Sequence, residues 1–228
     1  VRKIMKISES TKEVLKNFAE INQNLLINPG KKLSTISTMK NILAKAEIEE
    51  EFPQELGIYD MHEFLGTLGL FQKPVLTFDE KNMVINEEGI STSTNYYFSD
   101  PSVLVSPTKD IKMPPVDVSF TLTQTDLAKV KKASAVMQLP DITVTAETGG
   151  DIFLKAVDSK NSTSNDYKVK VGENAPANFT FHFKAENFKL IDGDYDVEIS
   201  KSLISHFKHR SKNIEYWIAL EQTSKYGG

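Results

Sequence analysis

Ser99-Asp100-Pro101-Ser102-Val103-Leu104-Val105-Ser106-Pro107-Thr108-Lys109-Asp110-Ile111-Lys112-Met113-Pro114-Pro115 decides the organisation of this chain. Four of its nine prolines fall in these 17 residues. Proline fixes its own φ and pushes the preceding residue toward extended conformations, so the stretch reads as an extended connector. Val103, Leu104, Val105, Ile111 and Met113 are too apolar for a free linker, which predicts a connector lying against the protein. It divides the chain into residues 1–99, a connector over 100–116, and residues 117–228.

Working outward, the two flanks show a similar order of elements. Before the connector, residues 8–21 place Val14, Leu15, Phe18 and Ile21 on one helical face and Lys12 and Lys16 on another, with Ser10 or Thr11 as the cap. Strand-like runs follow at 24–27, 32–38, 41–48 and 56–59. Asp60 then caps a short helix with Met61, Phe64, Leu65 and Leu68 on its apolar face. Hairpin strands follow at 75–78, 83–85 and 91–98. After the connector, 118–122 alternates as a strand. A helix begins at Thr123 or Thr125, with Leu127, Val130, Ser134 and Met137 on one face. Strands at 142–146, 152–157, 167–171 and 179–183 lead into a short helical stretch at 184–190. Strands at 195–200, 203–207 and 214–220 finish the sheet. The pattern reads as a duplicated α+β unit.

Composition and motifs exclude most chemistry. With no cysteine there is no disulfide framework and no thiolate metal site. No phosphate loop, dinucleotide fingerprint, HExxH or GxSxG occurs. His206 and His209 stand three apart, but Lys208 and Arg210 oppose a cation there, so they read as a basic hairpin. Asp192, Asp194 and Asp196 alternate as in a calcium loop, but Val197 stands where the sharp-turn glycine belongs and Leu203 where the bidentate glutamate belongs. They read as a polar turn entering a strand. The expected protein is not an enzyme, needs no cofactor or metal, and spans no membrane. The net charge of −4 argues against a nucleic-acid binder unless the charges are segregated, acidic outside and basic within.

Segments spread in order along the chain resemble the T-even-type bacteriophage sliding clamp, a DNA polymerase processivity factor. They are Leu15-Lys16-Asn17-Phe18-Ala19, Ile58-Tyr59-Asp60-Met61 with Phe64-Leu65-Gly66, and the connector from Asp100-Pro101-Ser102 through Pro107 to Pro114. Asp192-Gly193-Asp194-Tyr195 and Tyr216 through Ala219-Leu220-Glu221 complete the set. Met5-Lys6-Ile7-Ser8 resembles the family's start, while the charge-rich stretches 45–55 and 201–213 depart from its pattern. The resemblance implies an α+β DNA-clamp fold with two similar domains per chain. It implies a head-to-tail homotrimeric ring with sheets outside and helices lining the hole. The implied partners are double-stranded DNA without sequence specificity, DNA polymerase, an ATP-driven clamp loader and phage late-transcription factors, in the cytoplasm of the infected bacterium. A structural virion protein of baseplate or tail is the alternative, since such proteins are also cysteine-free, β-rich and oligomeric.

Three sets of residues carry the implied roles. Lys129, Lys131 and Lys132 fan around Ala128 and Ala135 on a helix with no acid after Asp126, which suits phosphate but also suits a solvated face. Lys12, Lys16, Lys184 and Lys189 join them as DNA-facing residues, with Glu9, Glu13 and Glu20 flanking Lys12 and Lys16. Val103, Leu104, Val105, Ile111, Met113 and Trp217 are assigned to a pocket for partner peptides, with core packing the alternative for Trp217. Residues 92–98 and 165–171, centred on Tyr97 and Val169, alternate as edge strands expected to pair between subunits, or else within one.

Overall fold

A computed structural model describes residues 3–227. The chain divides into two compact units, one ending at Asp110 and the other starting at Ile111, so the division falls inside the proline-rich connector.

In the first unit β1 (Lys3–Lys6) leads into α1 (Glu9–Ile21). Then come β2 (Leu25–Ile27), β3 (Gly30–Ile36), β4 (Ile42–Phe52), β5 (Leu56–Ile58), α2 (Met61–Leu68), β6 (Val75–Phe78), β7 (Asn82–Asn86) and β8 (Ser93–Tyr97). In the second, β9 (Val118–Leu122) leads into α3 (Gln124–Met137). It is followed by β10 (Asp141–Ala146), β11 (Ile152–Val157), β12 (Tyr167–Gly172), β13 (Phe179–Lys184), a 3-10 turn at Ala185–Asn187, β14 (Tyr195–Ser200), β15 (Ile204–His209), β16 (Ile214–Ala219) and β17 (Lys225–Tyr226).

The pairings repeat as well as the order. β1, β6, β7 and β8 are neighbours in that sequence in the first unit, as β9, β14, β15 and β16 are in the second. β2 pairs with β5 as β10 pairs with β13, and β3 pairs with β4 as β11 pairs with β12. The repeat read from the sequence is therefore present in the topology, with β17 as an addition the sequence reading missed. The helical stretch expected over 184–190 shrinks to the single 3-10 turn. It lacks the side-chain cap that Asp60 supplies to α2, and Asn187 and Phe188 are poor helix formers.

Each unit closes its own apolar core. Leu15, Phe18, Ile21, Phe52, Phe64, Leu76, Met83 and Ile85 are buried in the first, with Phe52 edge-on to Phe78 at 6.2 Å. In the second, Phe183, Phe188, Phe207 and Tyr195 form a chain of edge-to-face rings.

A carboxylate from elsewhere in its unit holds the start of each long helix. The cap of α1 is Ser8, which accepts from the Thr11 amide, and not Ser10 or Thr11 as expected. Thr11 is instead buried and donates its hydroxyl to Glu50 of β4, which also accepts from the Ser8 amide. Burial pushes the Glu50 carboxyl up, but hydrogen bonds from Thr11 and Ser8 outweigh it and hold the group below the ordinary glutamate range. Thr123 caps α3, and Asp194 accepts from the Gln124 amide at 2.7 Å. The negative charge complements the free amides and positive end of each helix. The charge-rich run at 45–55 thus folds as β4 up to Phe52 and supplies a clamp for α1.

The turn before β14 is fixed equally tightly. His209 is buried; its Nδ1 accepts from the Ser211 and Lys212 amides at 3.1 and 3.0 Å, which leaves Nε2 as the donor to the Asp192 carbonyl at 3.1 Å. Gly193, at φ +150°, passes so close that a Cβ would stand 2.0 Å from His209 Nε2. Neither histidine of the expected basic hairpin is solvated: His209 is buried, and His206, with its side chain 15% exposed, lies 2.8 Å from Glu215. Gly193→Ala is expected to lower stability by about 2 kcal/mol, through backbone strain and displacement of the imidazole. Chemical denaturation of variant and parent measures this, and an unchanged midpoint would contradict the packing described.

Candidate DNA-facing helix and binding surfaces

α3 owes its position to one apolar face. Leu127, Val130 and Ser134 are buried, Met137 is half-buried, and the helix packs on β11 and β12. The side chains on the far arc must then point away from the sheet. Lys132 lies opposite the buried face, and Lys129, Ala128, Ala135 and Val136 are exposed beside it. Val136 is 73% exposed, which is unusual for valine and gives this surface an apolar spot among its lysines. Lys131 is half-buried and sits about 100° round the helix from Lys132, at the flank of the lysine face. The only acid on the helix, Asp126, is in the first turn.

α1 presents a different surface. The Lys12 ammonium is 2.7 Å from Glu9, and its side chain is only 16% exposed. The hydrogen bond and charge of Lys12 hold the Glu9 carboxyl below its usual range, with Lys16 adding to the effect. Lys16 is exposed, as are Glu9 and Glu20. An ammonium already engaged by a carboxylate has less to offer a phosphate. α1 is therefore close to neutral along its outer side, whereas α3 is cationic.

Lys184 and Lys189 do not belong to either helix face. Lys184 ends β13, and its Nζ lies 2.8 Å from the buried carboxylate of Asp141. Burial alone would raise the Asp141 carboxyl. The hydrogen bonds from Lys184 and Ser159 outweigh it and hold the group below the ordinary aspartate range. Its charge is engaged by this buried partner, which leaves less for a phosphate. Lys189 is half-buried in the segment after the 3-10 turn.

The start of the connector lies against the rest of the first unit. Asn22 donates to the Val105 carbonyl at 3.0 Å, and Asn24 accepts from the Val105 amide at 3.2 Å. Asn24 also donates to the Tyr59 carbonyl at 2.7 Å. Where the connector begins, the Ser99 amide donates to the Gly57 carbonyl, and a Cβ on Gly57 would stand 2.5 Å from Ser99 O and 2.7 Å from Leu104 Cδ1. Val103 and Val105 remain exposed; Leu104, Ile111 and Met113 are half-buried. Trp217 of β16 is buried and stacks on His206 with centroids 4.8 Å apart. Alternation puts it on the sheet face opposite Tyr216 and Ile218, on the side of His206 and Glu215. Sequence reasoning missed Asn22 and Asn24: it gave Asn22 no role and read Asn24 only as the first residue of a strand-like run.

β8 and β12 each end their own sheet, in the order β1-β6-β7-β8 and β12-β11-β10-β13-β17. Tyr96 points into the first unit's core against Phe64, so alternation turns Tyr97 outward, where it is 70% exposed. Val169 is half-buried. Among the described residues no helix is long and apolar enough to cross a membrane.

Two family models cover most of the chain. One, described as DNA polymerase processivity factor, matches residues 7–106; the other, gp45 sliding clamp, C terminal, matches residues 119–222. The sliding clamp of Vibrio phage KVP40 is 38% identical over 221 residues, covering 95% of this chain and 99% of that protein. The sliding clamp of Enterobacteria phage T4 is 27% identical over 232 residues, covering 97% and 99%. Among solved structures, a Helicobacter pylori beta clamp bound to a DNA ligase peptide superposes with a TM-score of 0.71 at 16% identity, over 97% of this chain and 66% of that one. An A. fulgidus PCNA bound by the C-terminal region of FEN-1 gives 0.70 at 14% identity, over 98% and 99%. At such identities these two likenesses speak for the clamp fold alone.

Lys184→Ala is expected to destabilise the second unit, because it leaves the Asp141 charge buried without its cation. A depressed aspartate stabilises the fold above the unfolded pKa of about 3.9, and that contribution is lost as pH falls through the lower folded value. Asp141→Asn should therefore flatten the acid limb of a stability-against-pH curve. An acid limb identical to the parent's would remove this assignment.

Proposed function

This chain belongs to the phage sliding-clamp family and serves as a DNA polymerase processivity factor, and we propose that it does so as one subunit of a closed head-to-tail ring around duplex DNA. A closed ring is held by topology. It cannot leave a long duplex without opening, so it needs neither strong nor sequence-specific contacts. Weak attraction to phosphate without base readout then permits sliding. The acid-free lysine face of α3 carries this reading. Its ammonium groups sit on flexible stems, act as point charges and do not demand the planar geometry of an arginine fork, which suits a partner that moves. Lys129 and Lys132 are assigned the main role, Lys131 and Lys16 a flanking one, and Lys12 little, since Glu9 engages it. The virion alternative gives no reason for such a face and is set aside by the family.

Ring closure is assigned to β8 of one subunit and β12 of the next. Each is an edge strand with main-chain groups to offer, and unlike edges give a heterologous contact that closes when the rotation fits. Docking of partner peptides, including that of the polymerase, is assigned to the connector, with exposed Val103 and Val105 foremost. An ATP-driven loader to open the ring and late-transcription factors that use it are further partners of this reading, in the infected bacterial cytoplasm.

Native mass measurement is expected to give a trimer of the 25.6 kDa chain. Tyr97→Asp or Val169→Asp should give folded monomers; a trimer retained by both variants would remove β8 and β12 from the interface. Changing Lys129, Lys131 and Lys132 together to Ala should leave the fold and trimer intact. It should shorten retention on loaded circular DNA most clearly at moderate salt, since each lost phosphate contact takes about 0.9 from the salt slope. Glu in their place should do worse than Ala through repulsion. Retention and long-tract synthesis equal to the parent's across a salt series would reduce this face to solvated surface.

A further inference from the structure

The sheet of the second unit has a cationic face on the side away from its core. α3 packs on β11 and β12, and Ile152, Leu154 and Ala156 are buried on the core side of β11. Alternation turns Phe153 and Lys155 to the opposite side. There the strand register lays out two successive rows. In one, Lys168 stands opposite Lys155, Lys155 opposite Thr143, and Thr143 opposite His182. In the next, Lys170, Phe153, Thr145, Thr180 and Lys225 follow one another across five strands. Neither row contains a carboxylate.

Like charges directly opposed on neighbouring strands repel, and the Lys155–Lys168 pair is such a case. Two nearby cations are matched: Lys170 lies 3.1 Å from Asp151 and 2.5 Å from Glu173, and Lys184 lies 2.8 Å from Asp141. Among the described residues, no carboxylate stands within ion-pair distance of Lys155 or Lys168. Lys168 instead places its ammonium 5.0 Å from the centre of the half-exposed Phe153 ring. Beside this pair lies a depression of about 580 Å³, lined by Thr145, Phe153, Thr180, Lys155 and Lys225, with Glu147 and Asp151 also on its wall. A chain with net charge −4 thus keeps an opposed, unneutralised lysine pair next to an open groove.

We propose that this face binds a short acidic segment of a partner protein, laid extended over the groove. Carboxylates of the segment meet Lys155 and Lys168, and an apolar side chain between them covers Phe153. Charge complementarity selects this occupant, because the partner relieves the repulsion that the fold leaves in place. The carboxylates of Glu147 and Asp151 on the wall oppose a continuous phosphate backbone. A segment carrying only two or three carboxylates can avoid them. The α3 lysines do not enter this argument, and Lys168, although on β12, takes part through its side chain on the sheet face, not through the main-chain edge assigned to ring closure.

The test uses the intact chain and a fluorescein-labelled peptide of alternating glutamate and leucine, followed by anisotropy at low and moderate salt. Saturable binding is expected, weakening with salt. It should be absent for the same peptide with glutamine in place of glutamate. Lys155→Gln with Lys168→Gln should weaken it roughly tenfold, the scale of a lost close charge pair. The thermal midpoint of that double variant should stay level or rise, because repulsion is removed, which separates lost binding from lost folding. Phe153→Ala should also weaken binding. No binding of the acidic peptide, equal binding of the glutamine peptide, or undiminished binding by the double variant would overturn the proposal. So would tighter binding of a single-stranded oligonucleotide of the same length, which would make this a nucleic-acid surface.

Discussion

The direction of the charged faces in this chain depends on how its long helices are pinned. α1 and α3 are each held along one side by apolar packing and at the start by a carboxylate remote in sequence. Glu50 of β4 takes the Ser8 amide and the Thr11 hydroxyl; Asp194 takes the Gln124 amide. Packing alone would leave a helix free to shift along its sheet. A charge-assisted bond at the first turn removes that freedom and satisfies amides that have no partner within the helix. Once the helix is fixed, the direction of every other side chain on it follows.

That consequence separates the two helices. On α3 the arc away from the sheet holds lysines, alanines and one valine. On α1 the corresponding lysines share the surface with glutamates, and Lys12 is tied to Glu9. A duplicated fold therefore carries an unduplicated charge distribution. The topology repeats pairing by pairing, while the surface chemistry has diverged between the halves. A net charge of −4 sits easily with this, because exposed charges act over about 10 Å and a local cationic face survives an acidic total.

The connector follows a similar logic of fixation. Its prolines keep it extended, but extension alone does not say where it lies. Asn22 and Asn24 bond both the amide and the carbonyl of Val105, and Gly57 lets Ser99 and Leu104 approach the backbone closely. These contacts hold Leu104 down and leave Val103 and Val105 at the surface.

By itself, the sequence determined whatever local periodicity and local stereochemistry control. The 3.6-residue spacing of Leu127, Val130, Ser134 and Met137 located α3 and its lysine face, and Asp60 marked the start of α2. Alternation located β9, β11 and β14 to the residue. The proline cluster located the connector, and ordered segments along the chain carried the family. Tertiary structure alone decided what depends on partners far apart in the chain. Glu50 reads as one acid in a run and becomes a helix clamp, because Thr11 lies 39 residues away. Lys184 reads as a free cation and is spent on Asp141, 43 residues away. His209 reads as solvated and is buried under Gly193. In each case the residue type permits either fate, and the choice is made by which group the fold brings within about 3 Å, a distance over which neither propensity nor periodicity carries information.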